Sequence, residues 1–230
     1  MESAADGGSQ RFRVLAVGLG LTDLPGTIRE APASKEQVHS GVFEQAGGVP
    51  FDEDLILLDK VVQGDAEAFQ TLYERYYDKV YAIARGILLD ADEAYDAVQE
   101  IFTLVYRKSD RFDRRAKFST WLFRIAVNRS IQQSRRVKFK KNQVPLTEVL
   151  EEPSTEPPVL VHEPAVAEAM AQLPPADRAI LTLFYWDELS LAEIAESLSC
   201  SPNAAKTSLF RARERFRTFY EEAAEEAEAE

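Results

Sequence analysis

An apolar stripe that turns into a basic face constrains this chain more than any other feature. Four apolar residues recur at helical spacing and predict one buried side of a helix over residues 118–136. They are Phe118, Trp121, Leu122 and Ile125. One turn further, the same side carries Asn128, Arg129 and Gln132. The pattern therefore predicts a helix that begins in a core and extends beyond its own domain.

Positive charge is concentrated around this helix. From Thr103 to Lys141 there are 13 Lys and Arg against Asp110 and Asp113, whereas the whole chain has a net charge of −12. A local excess of opposite sign to the total is expected for a surface that binds a polyanion. A solvated helix face is the alternative. Aromatic rings between the cations favour nucleic acid, because rings can stack on exposed bases. These rings are Phe112, Phe118, Trp121 and Phe123.

The composition leaves little material for catalysis or for a cofactor. Cys200 is the only cysteine, which excludes a disulfide framework and a thiolate metal cluster and fits a reducing cytoplasm. The two histidines, His39 and His162, lie far from any other convincing ligand. There is no glycine-rich phosphate loop, no nucleophile motif and no apolar run of about 18 residues. We therefore expect a cytoplasmic protein that is not an enzyme, binds no metal or cofactor and does not insert into a membrane.

Patterning divides the chain into five segments and predicts an all-α fold with two small helical domains. Residues 1–50 predict a disordered extension, or a start codon placed too early, with a short strand or partner-binding segment as the alternative. Residues 51–141 show helical periodicity in four stretches, which predicts a four-helix bundle. The acidic, proline-rich residues 142–163 predict a flexible linker. A second helical unit over 164–220 and an acidic tail over 221–230 complete the chain.

Capping residues mark the helix boundaries in the first unit. Asp65 is a natural N-cap for the second helix, and Asp90 with Glu93 has the spacing of a capping box for the third. The outer side of that third helix carries a polar stripe, which is either ordinary solvent face or a docking surface. The stripe consists of Asp92, Asp96, Gln99 and Thr103, with Glu100 beside it.

A helix-turn-helix is the most specific local pattern in the second unit. Ser190 and Glu193 form a capping box for a short helix, and a turn over residues 199–201 follows. Ser201 then caps a new helix with Pro202 at its first position. The outward residues of that helix are polar or basic, as in a helix that enters the major groove. Cys200 is interpreted as a small turn residue.

Five motifs occur in order along the chain: GDAEAFQTLYERY, DAVQEIFTLVYR, FSTWLFRIAVNRS, LPPADRAILTLFY and LSLAEIAESLSCSPNAAKTSLFRARERF. Their order resembles that of one protein family, the extracytoplasmic-function (ECF) sigma factors of bacterial RNA polymerase. The chain resembles that family over roughly residues 52–220. The resemblance implies a sigma-two bundle and a sigma-four helix-turn-helix domain. It also implies a function in promoter recognition, DNA melting and transcription initiation.

The resemblance also implies partners and roles for individual residues. The stripe residues Asp96, Gln99 and Glu100 match positions that bind the clamp helices of core RNA polymerase. The minus-ten promoter element, as a melted strand, is assigned to Lys117, Phe118, Trp121, Arg124, Asn128, Arg129 and Gln132. For Trp121, packing in the core is the alternative. Duplex DNA at the minus-thirty-five element is assigned to Lys206, Thr207, Phe210 and Arg211. An anti-sigma factor is the expected inhibitory partner.

Two departures from the family pattern lie in the recognition helix. Lys206 is followed by Thr207 and Ser208 where the family commonly has Ser-Arg, which removes one expected phosphate contact. Ala205 stands where a valine is usual. The competing interpretation is a stand-alone helix-turn-helix regulator that binds DNA without polymerase. That alternative explains the second unit and leaves the basic helix of the first unit unexplained.

Overall fold

The computed structural model describes residues 53–114, 116–143 and 164–229. Within these ranges the chain forms α-helices, one 3-10 turn at Ser109–Arg111 and no strand, which confirms the predicted all-α fold. The helices are α1 Glu53–Val62, α2 Ala66–Leu88, α3 Ala91–Lys108, α4 Phe118–Gln143, α5 Pro164–Gln172, α6 Pro175–Tyr185, α7 Leu191–Ser197 and α8 Pro202–Ala229. The expectations for residues 1–50 lie outside the described residues. The linker predicted over 142–163 also lies outside them beyond Gln143, and its predicted start falls inside α4.

Helix α2 lies at the centre of the first unit and packs against α1, α3 and α4. The side chain of Asp65 accepts hydrogen bonds from the backbone N–H groups of Glu67 and Ala68, so the predicted N-cap is confirmed. Leu89 ends the helix in the left-handed conformation. Asp90 caps α3 through the Glu93 N–H at 2.9 Å. The side chain of Glu93 instead accepts a hydrogen bond from Gln133 of α4, so only half of that capping box forms as predicted.

A buried carboxylate attaches α1 to this bundle. Asp54 is only 9% exposed and accepts hydrogen bonds from Arg75 and from the hydroxyl of Tyr76, both on α2. The hydrogen bond to Asp54 is the main reason that the pKa of Arg75 is raised. A buried carboxylate is tolerated where charge-assisted hydrogen bonds replace its hydration. These bonds therefore fix the position of α1 on α2.

The second unit consists of α5–α8. Pro175 opens α6 at its first turn. The Ser190–Glu193 capping box is complete at the start of α7, as predicted. Ser199 makes the turn in the left-handed conformation with φ 54°. Ser201 then caps α8 by accepting from the Ala204 N–H at 3.2 Å. Helix α8 continues to Ala229, so the boundary predicted at residue 220 falls inside a helix.

The two units pack directly against each other through α2 and α6. Arg178 of α6 is 7% exposed; its Nε donates to the Ile87 carbonyl at 2.8 Å and its Nη1 to the Leu173 carbonyl at 2.8 Å. Burial lowers the pKa of Arg178 to about 10, which still leaves it cationic at neutral pH. At the same contact, a Cβ on Gly86 would lie 3.0 Å from Cγ2 of Thr182 and closer to its Oγ1. Only glycine allows α2 and α6 to approach this closely.

Removal of the Arg178 guanidinium is expected to destabilise the contact between the units. An Arg178→Met variant loses two buried charge-assisted hydrogen bonds and leaves two carbonyls unpaired, so we expect a loss of about 2–4 kcal/mol in the free energy of unfolding. Urea denaturation followed by circular dichroism measures this loss. The control is Arg215→Met, because Arg215 is half exposed in its ion pair with Asp177 and should cost at most about 1 kcal/mol. Equal losses in the two variants would contradict the structural role given to Arg178.

Candidate nucleic-acid interface

The basic helix α4 has a buried side and an outer side, but the buried side is rotated from the predicted stripe: Phe118 and Leu122 are buried, whereas Trp121 and Ile125 are half-buried. The buried side belongs to the core of the first unit and consists of Phe118, Leu122, Phe123, Ala126 and Val127. Side chains assigned to DNA remain exposed along the outer side, namely Lys117, Arg124, Asn128 and Gln132. The structure thus brings four of the predicted minus-ten residues onto one exposed cationic and polar surface.

The aromatic rings of this region are mostly part of the core. Phe112, Phe118 and Phe123 are at most 4% exposed, so the interpretation of these three rings as base-stacking platforms is wrong for this structure. They lie on the inward side of the helix, where removal of apolar surface from water stabilises the fold. Trp121 is half-buried, with its ring centroid 5.1 Å from that of Phe112 and 5.9 Å from that of Phe118. Of these rings, only Trp121 retains an accessible edge.

An ion pair joins the polar stripe of α3 to the basic helix. Glu100 pairs with Arg129, whose side chain is 13% exposed. Burial lowers the pKa of the Arg129 guanidinium, and the neighbouring cation Arg136 lowers it further. A cleft of about 380 Å³ lies between α3 and α4 at this point, with Asp96 and Gln99 among its lining residues. Sequence reasoning placed Glu100 and Arg129 in two separate sites, whereas the structure brings them together.

The recognition helix presents its predicted residues to solvent. Lys206, Thr207, Phe210 and Arg211 are all exposed on α8, and Phe210 is 63% exposed. The opposite side of the helix is buried through Ala205, Leu209, Ala212 and Phe216. This arrangement can offer charge to phosphates and an apolar contact to a base edge.

Arg213 of α8 turns inward, although helical spacing places it on the same side as the exposed residues Lys206 and Phe210. The guanidinium of Arg213 lies over the rings of Phe184 and Tyr185, at 4.8 Å and 5.3 Å from their centroids. This cation–π contact joins α8 to α6 and takes Arg213 away from the exposed face. Helical periodicity alone does not predict that the long side chain of Arg213 turns towards α6 while its neighbours stay exposed.

The described residues contain no group of three or more His, Cys, Asp and Glu side chains that could hold a metal ion. None of the described helices is both long and apolar enough to cross a membrane. Cys200 is exposed in the turn between α7 and α8.

Two sequence families match successive parts of the chain: Sigma-70 region 2 over residues 72–139 and Sigma-70, region 4 over residues 164–216. The ECF RNA polymerase sigma factor SigW of Bacillus subtilis is 35% identical over 173 residues, which cover 70% of this chain and 92% of that protein. The ECF RNA polymerase sigma-E factor of Escherichia coli K12 is 33% identical over 174 residues, covering 70% and 91%.

Solved structures show the same arrangement of helices. CnrH, in complex with the cytosolic domain of CnrY, aligns with a TM-score of 0.56 at 23% identity, covering 74% of this chain and 98% of that one. The sigma factor RpoE from Bartonella quintana, in complex with the anti-sigma factor NepR, aligns with a TM-score of 0.53 at 21% identity, covering 68% and 98%. At these identities the likeness concerns the fold.

Phe118 is buried and Phe210 is exposed, so truncation of the two side chains should have different effects on the free energy of unfolding. Phe118→Ala removes a buried ring and is expected to lower the free energy of unfolding by about 3–5 kcal/mol. Phe210→Ala is the matched control, since it removes the same atoms from an exposed site and should change stability by at most about 0.5 kcal/mol. Thermal unfolding of both variants measures the difference. A small effect of Phe118→Ala would show that its ring is not part of the core.

Proposed function

This chain belongs to the extracytoplasmic-function family of RNA polymerase sigma factors, and from that premise we propose how its surfaces divide the work of initiation. The chain binds core RNA polymerase and directs promoter recognition, DNA melting and the start of transcription. It contributes contacts and no catalytic group, while the polymerase forms the phosphodiester bonds. It acts where the polymerase acts, in the cytoplasm.

The observation that carries this proposal is the presence of both sigma regions, in order, on one chain. A stand-alone helix-turn-helix regulator needs only the unit formed by α5–α8. Such a regulator has no need for the first unit, in which the outer side of α4 is basic and the outer side of α3 is polar. A factor that must hold both polymerase and melted DNA needs both of these surfaces.

The minus-ten reader is the outer side of α4 together with the residue that precedes it. Lys117, Trp121, Arg124, Asn128 and Gln132 can hold phosphates and a displaced base there. A base that leaves the stack costs a few kcal/mol, and contacts of this kind offset that cost. Phe118 is left out because its ring belongs to the core. Arg129 acts at the edge of the reader, because its guanidinium is already paired with Glu100.

The minus-thirty-five reader is the first half of α8. Lys206 and Arg211 reach phosphates or base edges of duplex DNA, and Phe210 supplies an apolar contact beside them. Thr207 donates its hydroxyl to the Asn203 carbonyl at 2.9 Å, so it keeps a hydroxyl oxygen that can accept from a partner. Because the capping of α8 by Ser201 fixes the start of the helix, these side chains enter the groove in a defined register.

The polymerase surface is the exposed stripe of α3. Asp96, Gln99 and Glu100 are exposed, and Glu100 is oriented by its ion pair with Arg129. We place core polymerase on this stripe. An anti-sigma factor restrains the chain by competing for these surfaces.

Run-off transcription with purified core polymerase tests the function, and reversal of one stripe charge tests the surface. Wild-type protein should give specific transcripts from genomic promoter fragments, and core alone should not. Asp96→Lys should weaken binding to core at least tenfold, because it places a cation on an acidic docking stripe. Fluorescence anisotropy against labelled protein measures this affinity.

The matched control for Asp96→Lys is Asp78→Lys on α2. Asp78 is also exposed in the middle of a helix, so the change in net charge is the same. Unfolding should be nearly unchanged in both variants. Equal loss of polymerase affinity in the two variants, or none in Asp96→Lys, would remove the stripe from the proposal.

The two DNA readers are separated by comparing Arg211→Ala with Asn128→Ala. Arg211→Ala should weaken closed-complex binding to duplex promoter DNA by about 1–3 kcal/mol if Arg211 makes a bidentate base contact. Asn128→Ala should leave duplex binding unchanged and impair promoter opening. Gel-shift titration and potassium permanganate footprinting of unpaired thymines measure the two steps independently.

Arg215→Ala is the control for the recognition helix, because Arg215 lies on α8 and pairs with Asp177. It should behave as wild type in both assays. If Arg211→Ala and Asn128→Ala lose the same step to the same degree, the division between the readers is wrong.

A further inference from the structure

Seven aromatic side chains of α2 and α3 lie in one continuous row. The centroid of each ring lies 4.5–6.5 Å from that of the next. The α2 members recur at every fourth residue, which places them on one side of that helix. In order, this aromatic row consists of Tyr106, Phe69, Phe102, Tyr73, Tyr77, Tyr81 and Tyr95.

The aromatic row is accessible at both ends. Tyr106 is 50% exposed and Tyr95 is 48% exposed, whereas Phe102 in the middle is buried. The other four rings are half-buried. An apolar surface that is rimmed by polar residues is typical of a docking site. The row is therefore a candidate for contact with a partner.

The tyrosine hydroxyls of the row stay protonated at neutral pH. Burial raises the pKa of Tyr77. Burial also raises the pKa of Tyr81, and its hydrogen bond with Tyr95 raises it further. Neutral phenols can donate to the backbone carbonyls of a peptide while their rings contact its apolar side chains. The row thus suits a peptide segment that is rich in apolar residues.

The rim of the aromatic row is acidic from Tyr73 to Tyr95. Glu74 and Asp78 on α2 and Asp96 on α3 each directly follow a tyrosine of the row, and all three are exposed. Acidic side chains repel phosphates and attract cations. The partner that fits this surface is therefore a peptide with cationic and apolar residues, and not a nucleic acid.

The chain itself contains a segment of this kind. Two long stretches lie outside the described residues, 1–52 and 144–163. Residues 144–163 contain five Glu and neither Lys nor Arg, so an acidic rim repels them. Residues 11–21 read RFRVLAVGLGL, with two arginines before an apolar run and no acid among them. Charge and apolar content together select residues 11–21.

The stretch that contains this segment joins the first unit next to the aromatic row. Asp54 of α1 accepts hydrogen bonds from Arg75 and Tyr76 of α2, and Tyr76 directly precedes Tyr77 of the row. Residues 22–52 could span roughly 100 Å if extended, so the length of the connection does not prevent the contact. A flexible tether can give an effective concentration on the order of mM, so even a weak contact is populated.

We propose that residues 11–21 dock on the aromatic row of the same chain and thereby restrain the binding of core polymerase. Arg11 and Arg13 pair with the acidic rim, and the apolar run that follows them contacts the rings. The restraint rests on the function proposed above, because it takes Asp96 as a polymerase contact. Asp96 belongs to both surfaces, so polymerase has to displace the docked segment.

Paramagnetic relaxation enhancement in the full chain tests the docking. A nitroxide is attached to Ser9→Cys, next to the segment, in a Cys200→Ser background that leaves no other thiol. The backbone amide signals of Tyr77 and Tyr95 should lose about half of their intensity or more if the docked state predominates. The amide signal of Phe210 on α8 should keep its intensity. Unchanged Tyr77 and Tyr95 signals would overturn the proposal.

Charge reversal shows whether the arginines hold the segment. Arg11→Glu with Arg13→Glu should abolish the intensity loss, because acids then face an acidic rim. The matched control is Arg29→Glu with Lys35→Glu, which changes the net charge equally within residues 1–52. The control should keep the intensity loss. Equal spectra of the two double variants would remove residues 11–21 as the occupant.

A mixed sample distinguishes docking in the same chain from docking on a second copy. Spin-labelled protein without ¹⁵N is mixed with ¹⁵N-labelled protein that carries no nitroxide. Intensity loss in this mixture would mean that a second copy supplies the segment, which overturns docking within one chain. Full intensity in the mixture, together with loss in protein that carries both labels, supports it.

Affinity for core polymerase tests the restraint. Arg11→Glu with Arg13→Glu should bind core about threefold or more tighter than wild type, since apparent affinity scales with the fraction of molecules whose surface is open. Arg29→Glu with Lys35→Glu should bind as wild type. Fluorescence anisotropy measures both, and equal affinities of the two double variants would overturn the restraint.

The outcomes separate this inference from the proposed function. The relaxation measurement contains no polymerase, so its result does not depend on that function. Run-off transcription by the wild-type protein decides the function. A specific transcript without intensity loss means that the function stands and the docking fails, whereas intensity loss without any transcript means the reverse.

Discussion

Arg178 carries a positive charge into the place where α2, α6 and the end of α5 meet, and the relation between the two units depends on it. Carbonyl groups at helix ends have no partner within their own helix and carry the negative end of the helix dipole. The Ile87 and Leu173 carbonyls therefore provide a suitable environment for a guanidinium that has left water. Arg178 donates to these two carbonyls, and burial lowers its pKa to about 10. Its position requires both units to be present, so neither unit alone can satisfy all of these groups.

The distribution of charge allows one chain to address two partners of different kinds. The chain is acidic overall, yet its cations are concentrated on α4 and on the first half of α8. An acidic remainder disfavours unspecific attachment to DNA, while local cations preserve attraction at the readers. The Glu100–Arg129 ion pair lies where the proposed polymerase surface and the proposed minus-ten reader adjoin. If α3 moved relative to α4 when polymerase binds, the ion pair would transmit this movement to Arg129, at the edge of the proposed minus-ten reader.

Sequence reasoning succeeded where a local rule decides the structure and failed where distant residues meet. The caps at Asp65, Ser190 and Ser201 and the recognition helix followed from spacing alone. Periodicity correctly predicted that Phe118 and Leu122 of α4 are buried, whereas Trp121 and Ile125, predicted to be buried with them, are only half-buried. The contact of Arg178 with Ile87 joins residues 91 positions apart, which no local pattern reports. Gly86 was an available signal, because glycine inside a helix costs about 1 kcal/mol and usually has a packing reason.

Helix α8 has opposite charge at its two ends, and this gives the molecule a preferred direction of approach. Lys206 and Arg211 lie near the start of the helix, whereas Glu221, Glu222 and Glu225 lie near its end. At about 1.5 Å per residue the acidic end is held roughly 24 Å from Lys206, which is several screening lengths at physiological salt. The acids are thus too far away to weaken the contacts that we propose at the groove. Within about a screening length of a duplex, the phosphates would repel this acidic end and attract Lys206 and Arg211, which favours approach by the start of α8.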